Sequence, residues 1–569
     1  MGRRLGLPLL AAVALALAGV ALVAVWKWLH RPTPARIDRA VRQWATDRVL
    51  SGSDSVYRLS IGPLRFDTTG TSVGIDSIRI ETDSSRNARR PHPLAVVSIV
   101  LRGGQVDGLD VQAAIKHRSP TIDVSAIRFE RIEGKIRLPP LRDDSARVSK
   151  PKPPAAAPRR GQGAAPVLDL GPGVLPAGIP DLRVARIELP SITIAVRPAR
   201  DPEGQVQSVR RLALALSGVR VETGDSARTP VYARDIRARA GGYRGVWGRL
   251  TSVTAANVEA STSDSLLRIE GLELRPTVSD AELRRRLRWR RIRPVLRVPA
   301  LQARGMDYGS ILGGAGVVIR AIDLAKPRLD LLLDRSLDAD PRPKPARLPQ
   351  QILRGLGWRL TIDSVRARRA GISYGELDPR NSSPGVVTFE QLDGTVTNIS
   401  NDPRRAAHAM AVRASARVMG MGHLSTGFEI SLGSDSLRMG YRGTVGPMPL
   451  AAFNRFVALN TPAKLRSGQA LGLRFDGNVM DDSATGRVVL RYRDLKLGLT
   501  KRGGGGIGDA LRRHIGSFFI NTFKLRRDNP QDDGRFVVGQ IARRRLPTDD
   551  LFPFLWFTLR DAFKQVMAP

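Results

Sequence analysis

Apolar and polar side chains alternate one for one through most of the chain beyond residue 55. A period of two admits strands and excludes helices as the main element. Val56-Tyr-Arg-Leu-Ser-Ile61 and Val73-Gly-Ile-Asp-Ser-Ile-Arg-Ile80 follow it. Leu94 to Leu101, Val106 to Val111 and Ile122 to Phe129 repeat it with turn residues between them, the pattern of half-buried antiparallel strands. Three later stretches share a longer cadence: Val184 to Ile194, Leu296 to Tyr308 and Leu360 to Tyr374. Each is an alternating run, a small kink and a second alternating run. Repetition of one strand unit predicts an elongated sheet that grows by adding strands. The plainer alternative is that any β-rich chain shows such cadences.

Helices are few. Ala35 to Val49 is amphipathic, and Val278 to Trp289 has Ser279 as N-cap with Asp280 and Glu282 in its first turn. Met448 to Ala458 and Gly508 to Phe523 are short and amphipathic. Leu551 to Met567 is the most aromatic stretch. Its Phe552, Phe554, Trp556, Phe557 and Phe563 are expected to cap the end of the sheet or to touch a membrane interface. Capping is the favoured role, because an uncovered last strand is sticky.

Residues 5–29 form one apolar run with no charge before Lys27, and about 20 apolar residues span a bilayer. Arg3 and Arg4 with Ala16-Leu17-Ala18 would suit a cleaved secretory signal. The run continues through Val25 to Trp26 and Trp28, longer than a signal core and closed by interfacial aromatics. An uncleaved anchor containing Leu5, Leu10, Leu15, Leu22, Val25, Trp26 and Trp28 is the stronger reading. Lys27, Arg31, Arg36, Arg39 and Arg42 follow the run and oppose export, yet large domains translocate regardless of such charges. The body is expected to be exported.

At 569 residues and 42% hydrophobic the chain can bury a core. Without cysteine it has no disulfides, thiolate metal sites or cysteine nucleophiles. A net charge of +38 raises the question of nucleic acid, but 12 of the 91 basic residues are lysine, an arginine skew that a GC-rich genome produces. The charges are also scattered among strands rather than gathered into a stripe. Nucleic acid is therefore not an expected partner, and attraction to anionic headgroups is the functional use such charge would have.

Composition divides the chain into an anchor (1–31), a helix and β segment (32–140), a Pro/Ala/Gly-rich insert expected to be disordered (141–180), a middle β segment (181–337), a Pro-rich break (338–350), a third β segment (351–546) and the aromatic helix (547–569).

No catalytic constellation emerges. His30, His92, His117, His408, His423 and His514 are far apart, and no G-x-S-x-G, H-E-x-x-H or Walker lysine occurs. Gly503 to Gly506 lacks the Lys-Ser/Thr of a phosphate loop. Asp481-Asp482 falls in a turn and Asp549-Asp550 at a helix start, both ordinary structural places. Catalytic, metal and cofactor residues are all expected to be absent.

Leu360-Thr-Ile-Asp-Ser364, Ile372-Ser-Tyr-Gly-Glu376, Val387 to Asn398, Gly443 to Asn454, Gly486 to Lys496 and Gly539 to Arg545 before the aromatic helix resemble bacterial AsmA-like envelope proteins, relatives of TamB. The resemblance spans about residues 180–569, with only the anchor-then-strands layout before it. It implies an N-terminal transmembrane helix followed by a curled, largely antiparallel sheet forming an open apolar groove. It also implies an inner-membrane, single-pass protein with a periplasmic body that conducts phospholipid acyl chains in support of outer-membrane biogenesis. Expected partners are then the bilayer, acyl chains and envelope proteins. A scaffolding protein with a filled core is the alternative. Bulky inward residues would favour the scaffold, and small ones the groove.

Overall fold

The computed structural model describes residues 55–109, 121–137, 168–169, 181–197, 207–222, 230–247, 250–378, 383–499 and 525–568, short gaps aside, with scattered helical positions between 38 and 50. The expected anchor lies outside the described residues, as do most of the 141–180 insert and the stretch 500–524 with its glycine run and expected helix. Among the described residues no helix is long and apolar enough to cross a membrane. The described chain is mainly β and mostly antiparallel, with few short helices. It divides into two compact units, Met1–Glu270 with Arg304–Val317, and Gly271–Ala303 with Val318–Pro569.

In the first unit, β1 (Tyr57–Ile61) and β2 (Leu64–Phe66) both pair with β3 (Val73–Thr82). Antiparallel pairing continues to β4 (Val96–Asp107) and β5 (Thr121–Arg137). The two-residue β6 (Leu168–Asp169) precedes β7 (Asp181–Arg197), which lies parallel to β5. Beyond it come β8 (Gln207–Val221), the short β9 (Pro230–Tyr232), β10 (Asp235–Trp247) and β11 (Thr251–Ser261). Alternation becomes burial directly. Ile122, Val124, Ile127, Phe129, Ile132 and Ile136 of β5 are buried, while Asp123, Arg128, Glu130 and Lys135 between them are exposed.

β12 (Leu266–Pro276) and β13 (Ile292–Met306) are divided between the residue ranges of the two units. The second unit continues with β14 (Val317–Ala325), β15 (Arg328–Asp334) and β16 (Leu360–Leu377), the last two parallel. An antiparallel run follows through β17 (Gly385–Ser400), β18 (Met410–Val418), β19 (Gly422–Ile430), β20 (Met439–Val445), the two-residue β21 (Met448–Pro449), β22 (Ala463–Met480), β23 (Ser483–Leu499) and β24 (Gly539–Arg544). Helix Asp280–Arg286 starts where expected, with the Ser279 hydroxyl accepting from the Glu282 amide at 3.4 Å.

Two details depart from the sequence reading. The runs 94–101 and 106–111 meet in one strand, β4, because Gly103 (φ +61°) interrupts the ladder at a single position without shifting the register to β3 or β5. A Cβ on Gly104 would stand 2.7 Å from the Phe129 ring, so the pair of glycines serves packing. The kinks of two of the long runs, in β7 and β16, are register slips. β7 slips register at Pro190-Ser191, where a residue without N–H interrupts no ladder bond. In β16 the slip falls at Arg369 (φ +50°), and Gln391 (φ +49°) of β17 stands beside it.

Antiparallel neighbours need only a tight turn, whereas parallel neighbours need a crossover. β5 and β7 are linked by residues 138–180, and β15 and β16 by residues 335–359. The two Pro-rich stretches therefore fall in the crossovers of the two parallel joins.

Candidate functional site

Directly paired residues point to the same face, so the register traces what lines each unit's apolar side. In the first unit one row runs Ile132, Ile192, Leu212, Ala240, Val258, and the next Leu189, Leu214, Ala238, Ala260. Ile132, Leu189 and Ile192 are fully buried, while Leu212, Leu214, Ala238, Ala240, Val258 and Ala260 are half-buried. Burial thus falls along both rows, and the second shrinks from leucine to alanine.

The second unit repeats this. One row runs Ile541, Gly486, Gly477, Tyr441, Phe428, Val412, Val396, Val365. Its neighbour runs Val488, Phe475, Gly443, Thr426, Ala414, Gly394, Ala367. Tyr441, Phe475, Val488 and Ile541 are buried, and rings lie over glycines at this end. A Cβ on Gly477 would stand 2.5 Å from the Tyr441 ring, and Gly443 faces the Phe475 ring in the same way. At the other end Val365, Ala367, Val396, Val412 and Ala414 are only half-buried.

Helix Leu551–Met567 accounts for the covered end. Phe554, Thr558, Ala562 and Val566 recur every fourth residue and are buried at 0–1% exposure, packed with the cores that include Val488 and Ile541. Phe563 packs partly buried against the same cores. Phe557 lies between the guanidiniums of Arg543 and Arg560, 5.0 and 4.8 Å from its centroid. Phe552 and Trp556 are exposed, with Phe552 tilted 6.3 Å from the Tyr374 ring. The five aromatics therefore take three places: two in the core, one between arginines and two at the surface.

The polar candidates resolve into structure. Asp481 and Asp482 form the two-residue tip of the β22–β23 hairpin with positive φ. Arg545 joins this tip to the other acidic pair: its Nε is 2.8 Å from an Asp482 carboxylate oxygen, and its Nη1 donates to the Asp549 carbonyl at 2.9 Å. His408 and His423 are both exposed. Among the described residues no three His, Cys, Asp or Glu side chains gather as metal ligands. At the edge of the first unit's half-buried face, burial works against the Asp235 carboxylate. Hydrogen bonds from the Ser263 amide (3.1 Å), the Thr262 hydroxyl (3.2 Å) and Arg237 (2.9 Å) outweigh it and hold the carboxyl below its usual range.

Tyr492 ties the last strands together. Its hydroxyl donates to the Arg526 carbonyl at 3.0 Å, and burial pushes its pKa up to about 12. The neutral phenol is the folded form, so its stabilisation is complete below pH 10 and is lost as pH rises toward 12. The melting temperature is expected to fall across that window, and the fall is expected to be shallower in Tyr492→Phe. Equal slopes for both proteins would refute this role.

Sequence reasoning missed the small residues of the half-buried rows. Their alternation was visible, but not their place at the far end of a row. The protein is thus a mainly β, mostly antiparallel chain whose strands carry one apolar and one charged face. No protein-family model matches it, and no curated protein matches it.

Proposed function

We propose that this chain is a membrane-anchored envelope protein of the AsmA-like kind, whose apolar sheet face curls into a groove that shields phospholipid acyl chains as they pass between membranes. The observation that carries this reading is the fall along each row from buried to half-buried residues, with Ala238, Ala240, Ala260, Ala367 and Ala414 among the latter. Such rows leave apolar surface that an acyl chain can cover, and each CH₂ kept from water is worth about 0.8 kcal/mol. Sliding a lipid breaks and makes no covalent bond, so no catalytic residue is needed. An N-terminal anchor in the inner membrane, with the body in the periplasm, would fix one end of this path.

The filled ends favour a second reading, a scaffold with a solid core. Gently extracted full-length protein separates the two. Mass spectrometry is expected to find co-purified phospholipid. The combined variant Ala238→Leu, Ala240→Leu, Ala260→Leu, Ala367→Leu, Ala414→Leu is expected to carry about tenfold less, since two displaced CH₂ groups already cost about 1.6 kcal/mol. Its melting temperature should hold or rise. Absence of lipid from the wild type, or equal lipid in both, would leave the scaffold reading.

A further inference from the structure

We infer that the helical segment within residues 38–50 is a plug, which keeps the β1–β2 edge of the first unit closed to strand addition by a second copy of this chain. β1 and β2 lie against β3 on one edge. The Val56 carbonyl accepts from Asp83 and the Gly62 amide donates to Ser77, so even-numbered residues of β1 turn their backbone groups toward β3 and odd-numbered ones away. In β2 the Pro63 carbonyl accepts from Asp76, so Leu64 faces away. The three outward groups meet side chains instead of a strand. Thr46 donates to the Leu59 carbonyl (3.4 Å), Arg42 to the Ile61 carbonyl (3.4 Å), and Asp38 accepts from the Leu64 amide (3.1 Å). Helical residues four apart rise about 6.0 Å, and strand residues two apart about 6.6 Å. One helical stripe running antiparallel to β1 can therefore serve alternate backbone groups. Ala45 and Val49 are buried in the first unit's core and hold the stripe in place.

The second unit meets the same need in the same way. Along β24 the Gln565 side chain takes both backbone groups of Gln540, accepting from its amide at 2.8 Å and donating to its carbonyl at 3.0 Å. Just past the strand, Asp549 accepts from the Leu546 amide and Arg545 donates to the Leu546 carbonyl. Polar side chains thus stand where a further strand would pair, and an uncovered edge is a template for one. A second copy is the occupant that β1 itself fits. Paired antiparallel about Leu59, Tyr57 would face Ile61 of the second copy and Arg58 would face its Ser60. No arginine would oppose an arginine, and the half-buried Tyr57 and Ile61 would share one face with buried Leu59. This device does not depend on what the apolar face holds.

The chain has no cysteine, so introduced ones report cleanly. The test mixes full-length Arg58→Cys protein with full-length Ser60→Cys protein in detergent solution and oxidises the mixture. Across two β1 strands these positions would form a non-hydrogen-bonded pair, whose Cα separation of about 4.5 Å suits a disulfide. With the plug intact, little mixed dimer should form. Adding Asp38→Ala, Arg42→Ala and Thr46→Ala to both proteins should expose the edge about hundredfold more, at about fivefold for each lost bond, and dimer yield should rise with it. Alanine favours helix, so helix content by circular dichroism should hold. Asp38→Asn, Arg42→Lys and Thr46→Ser keep one acceptor and two donors and should leave the edge closed, as should Gln43→Ala at an exposed position. Ala45→Arg, which drives the segment from the core, should open the edge as the three alanines do. Equal dimer formation with and without the three alanines, at preserved helix content, would overturn the inference. So would rapid mixed dimer with the plug intact, or dimer of either cysteine protein alone as fast as in the mixture. Should the triple variant misfold, Asp38→Ala alone must still speed hydrogen exchange at the Leu64 amide about fivefold relative to Asp38→Asn, and equal exchange would refute the plug.

Discussion

Phe554→Ala is expected to destabilise the C-terminal unit by about 3–5 kcal/mol, the cost of deleting a buried phenyl ring. Phe554 has no exposed surface and leads the stripe that Thr558, Ala562 and Val566 continue. It packs in a core that also contains Leu348, Tyr441, Val488 and Ile541. Removing the ring leaves a cavity beneath a helix that cannot collapse into it, because Ala562 already rests against the backbone of Gly539. Denaturant unfolding followed by tryptophan fluorescence would read the loss, with Trp358 and Trp556 as reporters. Phe552→Ala is the control, since that ring is 57% exposed and its removal is expected to cost under about 1 kcal/mol. Equal effects at the two positions would mean that the helix does not cover the sheet as described.

Gly486→Ala is expected to cost more than about 3 kcal/mol, through backbone overlap rather than lost packing. Gly486 has φ +155° and lies directly opposite Gly477. A Cβ there would overlap the Asp476 carbonyl oxygen and stand 2.6 Å from the Gly477 Cα, so β22 and β23 would have to part. Gly472 on the neighbouring strand β22 offers the comparison, because a Cβ there meets nothing closer than 3.9 Å. Gly472→Ala should be close to neutral. Thermal melting would rank the two variants, and hydrogen exchange should show protection lost along β22 and β23 only for Gly486→Ala.

Both predictions concern residues whose importance the alternation alone does not show. Phe552 and Phe554 are two positions apart and equally apolar, yet one is exposed and the other buried. On a helix two residues are about 200° of rotation, so only the placement of the axis against β23 and β24 separates them. The sequence reads Gly103-Gly104 as turn residues between two strands, and Gly486 carries no mark of its own. In the fold Gly103 takes φ +61° within a continuous strand, Gly104 makes a ring contact, and Gly486 gives close strand approach. Pairing supplies that distinction, and partners such as Gly104 and Phe129 are not neighbours in the chain. The two parallel joins were hidden for the same reason: a Pro-rich break marks where a strand stops, not which edge the next one meets.

Strand content, the assignment of each side chain to an apolar or a charged face, and the Ser279 cap were determined by the sequence itself. They depend on neighbours within a few residues and on the two-residue period of extended backbone. Which apolar rows are filled, which end in small half-buried residues, and which arginines lack a carboxylate were decided only by tertiary structure. Burial and charge neutralisation are set by what stands across the strand, and cross-strand partners such as Arg442 and Asp476 are neighbours in the sheet without being neighbours in the chain.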